Sequence, residues 1–367
     1  MTAAVPTPRP GILGIAPYVG GEAHAPGAGR TIRLASNEGA LGPSPKAMAA
    51  YAALSGEIHR YPDGGSTALR EALGRRYGID PARIICGAGS DELLSLIAKS
   101  YAGPGDEVLY SAHGFLMYPI AAKAVGATPV TAPETNLTAD VDALLARVTE
   151  RTRILFLANP NNPTGSMLTR DEVRRLHAGL PPSVLLVIDA AYAEYLDRPD
   201  YSSGLELVDE AANVVVTRTF SKIHALGGLR LGWAYCPPDV ADVLNRVRGP
   251  FNVASAAQAA GIAALEDVAF TEKSRAHNET WRTWFADEVR TLGLTVHPSV
   301  ANFVLVSFKG REPGKDDAEA ARQFLKARGI LVRQMNAYGL PDCLRVTIGT
   351  EEEMGTVVST LREFLAS

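Results

Sequence analysis

Three apolar runs limit how this chain can fold. Leu155-Phe156-Leu157, Val184-Leu185-Leu186-Val187-Ile188 and Val214-Val215-Val216 have no polar interruption, and each leads directly into polar residues. A strand with one wet face alternates polar and apolar side chains. One that is apolar throughout must be covered on both faces, as in a parallel sheet between two helical layers. Helix signals lie between the runs. Ser44-Pro45 supplies a capping serine and a first-turn proline for a helix to about Leu54. A second helix is expected from Thr67 to Tyr77, stopping at Gly78, and Ser90-Asp91-Glu92 opens a third that runs to Tyr101. Strands are expected at Arg83–Cys86, Asp106–Tyr110, Thr128–Val130, Arg153–Leu157 and Leu185–Ile188. The alternation predicts an α/β fold: a large domain with a mostly parallel central sheet covered by helices.

A chain of 367 residues exceeds one compact core, so a second domain is expected. From about Phe251 Ala-rich helical patterns take over to about Leu292. Asn302–Val306, Ala318–Arg328, Ile330–Val332 and Leu344–Ile348 then return to mixed structure. The expected division is 38–250 for the large domain, with 1–37 and 251–367 forming a smaller α/β domain that includes the N-terminal segment. Residues 20–30, rich in Gly, Ala and Pro, read as loop. No repeat of 20 to 50 residues is evident, which argues against a solenoid.

Bulk properties narrow the function. Net charge is −4 with no basic stripe, which disfavours a nucleic-acid partner. Cys86, Cys236 and Cys343 lie far apart with no metal-ligand spacing, so no metal is expected and each thiol reads as a buried residue in a reducing compartment. Met1-Thr2-Ala3-Ala4-Val5-Pro6 lacks a charged-then-apolar leader pattern, and no apolar run nears the roughly 20 residues of a membrane span. A cytoplasmic protein without a membrane partner is the expectation.

The chemistry gathers where the strands end. In open α/β sheets ligands sit beyond the carboxyl ends of the strands. Three segments are delivered there: Asn159-Pro160-Asn161-Asn162-Pro163-Thr164-Gly165, Asp189-Ala190-Ala191-Tyr192, and Thr219-Phe220-Ser221-Lys222 continuing to Arg230. A lysine between a strand and a glycine-rich stretch is poorly placed as a solvated charge. Burial makes an ammonium costly, so such a group tends to be neutral, paired or covalently occupied. Lys222 has Thr219 and Ser221 beside it and Arg230 eight residues on, which suits an amine bonded to an aldehyde cofactor whose phosphate those three hold. A Schiff base with pyridoxal 5'-phosphate is the leading reading; a lysine paired with a buried acid is the alternative. Gly87-Ala88-Gly89-Ser90-Asp91-Glu92 joins a strand to a helix, where backbone can approach an anion and free amides point at it. Taken alone, Asn161–Gly165 could be simply a turn, Phe115 a core residue and Tyr61 an ordinary turn residue.

Together these motifs make the chain resemble the fold-type I aminotransferases, and among them the histidinol-phosphate aminotransferase family, from about Gly11 to the last helix. The resemblance implies pyridoxal 5'-phosphate as cofactor, on the aminotransferase type I fold, with these roles. Lys222 carries the cofactor and shuttles a proton. Asp189 faces the pyridine nitrogen, while Tyr192 and Asn162 hydrogen-bond the phenolic oxygen. Gly89, Ser90, Asp91, Thr219, Ser221 and Arg230 cradle the phosphate, and Phe115 stacks on the ring. Tyr61 reaches the phosphate of a neighbouring subunit, which implies a homodimer with shared active sites. Arg345 and Arg333 take the anionic end of each substrate, Tyr18 contacts phosphate, and Asn37 lies in a segment that closes the site. The activity implied is transfer of an amino group from L-histidinol phosphate to 2-oxoglutarate, in histidine biosynthesis.

The chain departs from this pattern in two places. Many relatives read Asn-Glu-Asn-Pro-Tyr-Gly where this chain has Asn37-Glu38-Gly39-Ala40-Leu41-Gly42, so a polar aromatic lining residue is absent. His224 stands where an apolar aromatic is expected and reads as a packing ring. An aromatic amino-acid aminotransferase shares every cofactor motif and is the alternative activity; a related phospho-amino-acid decarboxylase comes next. A non-catalytic aminotransferase-like effector domain would need an appended DNA-binding region. A nicotinamide oxidoreductase would need a third glycine after Gly87-Ala88-Gly89 and would leave Lys222 unexplained.

Overall fold

The computed structural model describes residues 6–24 and 30–367. Residues 25–29 of the expected 20–30 loop, and Met1 to Val5 of the leader reading, lie outside the described residues. The strands are β1 (Ile32–Leu34), β2 (Ile84–Gly87), β3 (Glu107–Ser111), β4 (Thr128–Ala132), β5 (Glu134–Thr135), β6 (Thr138–Ala139), β7 (Thr152–Ala158), β8 (Leu185–Asp189), β9 (Val214–Thr219), β10 (Gly232–Tyr235), β11 (Thr295–His297), β12 (Phe303–Ser307), β13 (Ile330–Gln334) and β14 (Cys343–Thr347).

Seven of them form one sheet in the order β2-β10-β9-β8-β7-β3-β4. Its neighbours run parallel except β10, which is antiparallel to both β2 and β9. The apolar runs are its central strands, and alternate side chains pack into two separate cores. Leu155, Leu157, Leu186, Ile188, Val214 and Val216 face one; Ile154, Phe156, Leu185, Val187 and Val215 face the other. Helices cover both faces. Thr67–Tyr77 and Arg170–Gly179 contribute Leu73 and Leu176 to the first core, while Ser90–Tyr101 and Pro238–Val247 contribute Leu93 and Leu244 to the second. Local signals stand as their chemistry dictates: Ser44 Oγ accepts from the amide of Ala47, and Gly78 ends its helix with φ 67°.

A five-stranded sheet, β1-β13-β14-β12-β11, is antiparallel except where β1 lies parallel to β13. It packs on helices Val268–Thr291, Ala318–Ala327 and Glu351–Ala366 through Phe285, Val289, Leu325, Val357 and Leu361. The helix Ser255–Glu266 puts Ala257, Ala260, Ala264 and Leu265 into the core of the large sheet. We therefore propose Asp267, between that helix and the next, as the point where the chain passes from the larger unit to the smaller. Among the described residues no helix is long and apolar enough to cross a membrane, and no cluster of His, Cys, Asp and Glu could hold a metal ion. All three cysteines are free and buried.

Candidate active site

The carboxyl ends of β7, β8 and β9 meet residues of β13 and β14 and the segment after β1 around a cavity of about 250 Å³. Its lining includes Ser90, Asp91, Phe115, Asn162, Asp189, Tyr192, Thr219, Ser221, Lys222 and Arg230 from the large unit. Tyr18, Asn37, Arg333 and Arg345 line it from the other side. Gly89 lies just behind the wall at Arg230, and Tyr61 lies outside, 83% exposed and stacked on Phe251 at 4.8 Å.

Lys222 follows β9 and is half-buried. Its Nζ donates to the carbonyl of Ser36 at 3.4 Å and lies 5.9 Å from the centre of the Tyr192 ring. Loss of water lowers its pKa to about 8, and the Arg345 and Arg230 guanidiniums add to the fall against Asp91 and Glu38. No carboxylate pairs with it among the described residues. An amine so tuned has a sizeable neutral fraction near neutral pH, as attack on an aldehyde requires.

Asp189 ends β8 and is buried. Its Oδ2 accepts from the Tyr118 hydroxyl at 2.9 Å and its Oδ1 from Thr217 at 3.2 Å. Burial lifts its carboxyl to about 6, helped by Asp91 and opposed by the two hydrogen bonds and by Lys222. A cationic partner facing it would reverse that rise, as a protonated ring nitrogen does. Tyr192 is held by Asn37, whose Nδ2 donates to the phenolic oxygen at 2.9 Å. That leaves the Tyr192 proton free to be donated into the cavity. Asn37 adopts φ 56°, pinned through its own amide to Thr347 Oγ1 at 3.0 Å and through its carbonyl to Asn302 at 3.0 Å.

The cradle for an anion lies at the start of Ser90–Tyr101, a helix whose first-turn amides have no side-chain cap. Arg230 crosses it: Nη2 meets Asp91 Oδ2 at 3.0 Å, and Nη1 donates to the Gly227 carbonyl at 3.1 Å and reaches Ser221 Oγ at 3.5 Å. Gly89 is needed for this crossing. Its φ is 88°, and a Cβ there would stand 2.3 Å from Arg230 Nη2.

At the opposite end Arg345, 6% exposed, donates to the Ala35 carbonyl at 3.0 Å and to Asn162 Oδ1. Its Nε has no partner, and no carboxylate lies within ion-pair distance among the described residues. Burial depresses its pKa. A guanidinium held out of water without an anion is costly, a cost that an anionic partner in the cavity would relieve. Arg333 stands beside it, and among the described residues its one hydrogen-bond partner is the Val19 carbonyl.

Asn159 and Asn161 brace the turn itself, through Leu168 and Thr164, while Asn162 faces the cavity. The segment is thus a turn at Asn159 and Asn161 and part of the cavity wall at Asn162. Leu41 lies away from the cavity beside Tyr195 and Ile223, so the missing aromatic leaves no gap in its wall. His224 is buried against Phe220 at 5.1 Å with its pKa pushed down to about 4 by loss of water, a neutral packing ring. Sequence reasoning missed Tyr118, Thr217 and the Ser36 carbonyl. Tyr118 lies one helical turn after Phe115 on the same face, and recognition of the helix Met117–Ala124 would have exposed it.

Gly39 sets a local steric test. A Cβ there would lie 2.7 Å from Ala225 Cβ and 3.2 Å from the Lys222 carbonyl, while Ala225 itself adopts φ 53°. Gly39→Ala is expected to destabilise the protein by about 1–3 kcal/mol. Adding Ala225→Gly should recover most of it, because it removes both the clash and a left-handed alanine. Thermal denaturation of the two variants checks this, and a double variant no more stable than Gly39→Ala would contradict it.

A model for aminotransferases of class I and II matches residues 30–361. The chain belongs to this family. It is 69% identical over 360 residues to the histidinol-phosphate aminotransferase of Rhodospirillum centenum, covering 98% of this chain and 99% of that protein. With the enzyme of the same name from Paramagnetospirillum magneticum it shares 63% over 362 residues, 99% of each chain. The crystal structure of histidinol-phosphate aminotransferase from Sinorhizobium meliloti in complex with pyridoxal-5'-phosphate matches with a TM-score of 0.91 at 30% identity, over 100% of this chain and 99% of that one. Among aminotransferases, then, the relatives at high identity carry one name.

Proposed function

We propose that this aminotransferase binds pyridoxal 5'-phosphate at Lys222 and moves the amino group of L-histidinol phosphate to 2-oxoglutarate, giving imidazole acetol phosphate and L-glutamate. The observation that carries the reading is Arg345, a buried guanidinium without an anion, across one cavity from a lysine of lowered pKa. The cavity suits the cofactor's chemistry: an amine for the aldehyde, a cradle for the phosphate and a carboxylate for the ring nitrogen.

When bound, the cofactor supplies a sink for the electron pair left on the substrate α-carbon. Ser90, Asp91 and Gly89 through their backbone, with Thr219, Ser221 and Arg230 through their side chains, hold the phosphate. Phe115 covers a ring face. Asp189 keeps a proton on the ring nitrogen, and Tyr118 and Thr217 fix its carboxylate. Tyr192 and Asn162 donate to the phenolic oxygen. Lys222 Nζ would take the proton from the substrate α-carbon and deliver it to the cofactor's aldehyde carbon, on the far side of the nitrogen between them. Arg345 and Arg333, with Tyr18, bind phosphate in one half-reaction and the glutamate carboxylate in the other, so one cationic end serves both substrates. Asn37 holds the segment that closes over them. Tyr61, exposed on one chain, would complete the cradle of a second copy in a homodimer. The high-identity relatives share a biosynthetic name, and a cytoplasmic place accords with it.

The test is a half-reaction on purified, cofactor-loaded protein. Histidinol phosphate is expected to bleach the cofactor band rapidly, and phenylalanine and tyrosine slowly. Faster conversion by the aromatic amino acids would transfer the assignment to them. The absence of any cofactor band would overturn the reading.

A further inference from the structure

The cavity has a charged pair directly behind its wall that the chemistry above does not use. Arg218, on β9, lies one residue before Thr219, and Glu194 lies two residues after Tyr192 in the 3-10 turn Ala193–Tyr195. Arg218 Nη2 meets Glu194 Oε1 at 2.8 Å, with the side chains 4% and 9% exposed. The guanidinium lies over the rings of Tyr77 at 4.9 Å and Trp233 at 5.5 Å, and Trp233 is its register partner on β10. The Tyr77 hydroxyl reaches the same carboxylate oxygen at 3.5 Å.

Two further observations point to a role beyond cohesion. Buried ion pairs are often no more stabilising than apolar side chains of equal volume, so stability alone gives weak reason for one here. This pair is also imperfectly satisfied, since Glu194 Oε2 and Arg218 Nε both lack partners. Its placement is more telling. The last backbone bond between the β8 and β9 segments runs from the Ala190 amide to the Thr217 carbonyl at 2.9 Å. Beyond it, among the described residues, no backbone bond joins the turn carrying Tyr192 to the loop carrying Lys222. The ion pair is a buried side-chain link across that gap, besides the one that runs through Ser36 and Asn37 to Lys222 and the Tyr192 hydroxyl.

We propose that Arg218 and Glu194 are a positioning pair that fixes Tyr192 relative to the Thr219–Lys222 segment and so tunes the cofactor held between them. The proposal rests on the reading that this cavity holds pyridoxal 5'-phosphate. Through the pair, the Tyr192 hydroxyl keeps its reach to the phenolic oxygen. A donor there favours the deprotonated form of the bound cofactor, so its displacement raises the pH midpoint of the cofactor band.

The test compares wild type with a double variant, Arg218→Met with Glu194→Leu, which removes both charges and keeps the volume. Melting of the cofactor-free proteins establishes that both fold. The pH midpoint of the band is expected to rise by about half a unit or more in the double variant. Cofactor affinity, followed by absorbance, should weaken about tenfold. A fall in kcat of about tenfold or more, with KM changed less than about threefold, completes the expected result. Wild-type midpoint, affinity and kcat in a folded double variant would overturn the proposal and leave the pair a structural feature. Should that variant fail to fold, Glu194→Asp keeps both charges and draws the turn back by one methylene. It should shift the midpoint in the same direction, and an unchanged midpoint and kcat would overturn the proposal equally. A wild-type protein that never develops the band would instead remove the cofactor reading itself.

Discussion

Replacing Lys222 by alanine is expected to slow turnover by at least about 10⁴-fold while leaving a folded protein, because both the covalent attachment and the proton carrier are lost. The fold should tolerate the change. The ammonium stands half-buried near Arg345 and Arg230 and lowers stability when charged. Its folded pKa, about 8, lies below the ordinary lysine value of 10.5, so the unfolded chain binds the proton more tightly. The cofactor-free wild type should therefore gain stability as pH rises from about 8 to 10.5, and Lys222→Ala should lose that dependence. The same lowered pKa fixes the rate of cofactor loading, which should climb about tenfold per pH unit below 8 and level off above it. Melting curves at several pH values, stopped-flow loading and steady-state turnover read these effects separately. Near-normal turnover in Lys222→Ala would end the account.

Asp189→Asn should divide activity from stability in the opposite sense. An amide cannot hold a proton on the ring nitrogen, so turnover is expected to fall roughly 10²–10³-fold although cofactor still binds. The cofactor-free variant should be more stable than wild type. Burial lifts the carboxyl to about 6 from the ordinary aspartate value of 3.8, so the folded state binds its proton more tightly than the unfolded chain. Stability of the wild type then falls as pH rises from about 4 to 6, and the penalty is complete above that. Its size is on the order of 3 kcal/mol, an upper bound that Asp189→Asn would recover at pH 7 and not at pH 3.5. Equal melting temperatures at pH 7 would count against the burial argument. An unchanged turnover rate would remove Asp189 from its role.

Both residues were legible in the amino-acid order because a strand end is a place as well as a conformation. An apolar run that must be buried on both faces sends whatever follows it to one edge of the sheet, so Asp189, Asn162 and Lys222 could be gathered before any coordinates existed. Helix ends marked by serine, proline and glycine were legible for the same local reason. Less visible were contacts that depend on two distant segments. β1 is three residues long, and nothing in Ile32-Arg33-Leu34 announces its partner. Gly232–Tyr235 lies antiparallel in an otherwise parallel sheet, a choice made by its neighbours rather than by its composition. Tyr118 was hidden in a helix with few polar residues to reveal its period, and the Arg218–Glu194 pair in runs that read as core and turn. In each case the missing information was the identity of the partner.

The pairing of β1 with β13 also has a consequence in time. Ile32 lies against Ile330, and Ser36 and Asn37, just past the end of β1, supply the carbonyl for Lys222 and the side-chain amide for Tyr192. A ribosome releases the lysine, the aspartate and the whole seven-stranded sheet well before it releases Ile330. On a nascent chain the large sheet can close first, while β1, which leads into Ser36 and Asn37, still lacks the strand it pairs with. The catalytic centre is thus completed among the last events of synthesis. A chain stalled before that strand would lack the backbone pairing that seats Ser36 and Asn37 over the lysine.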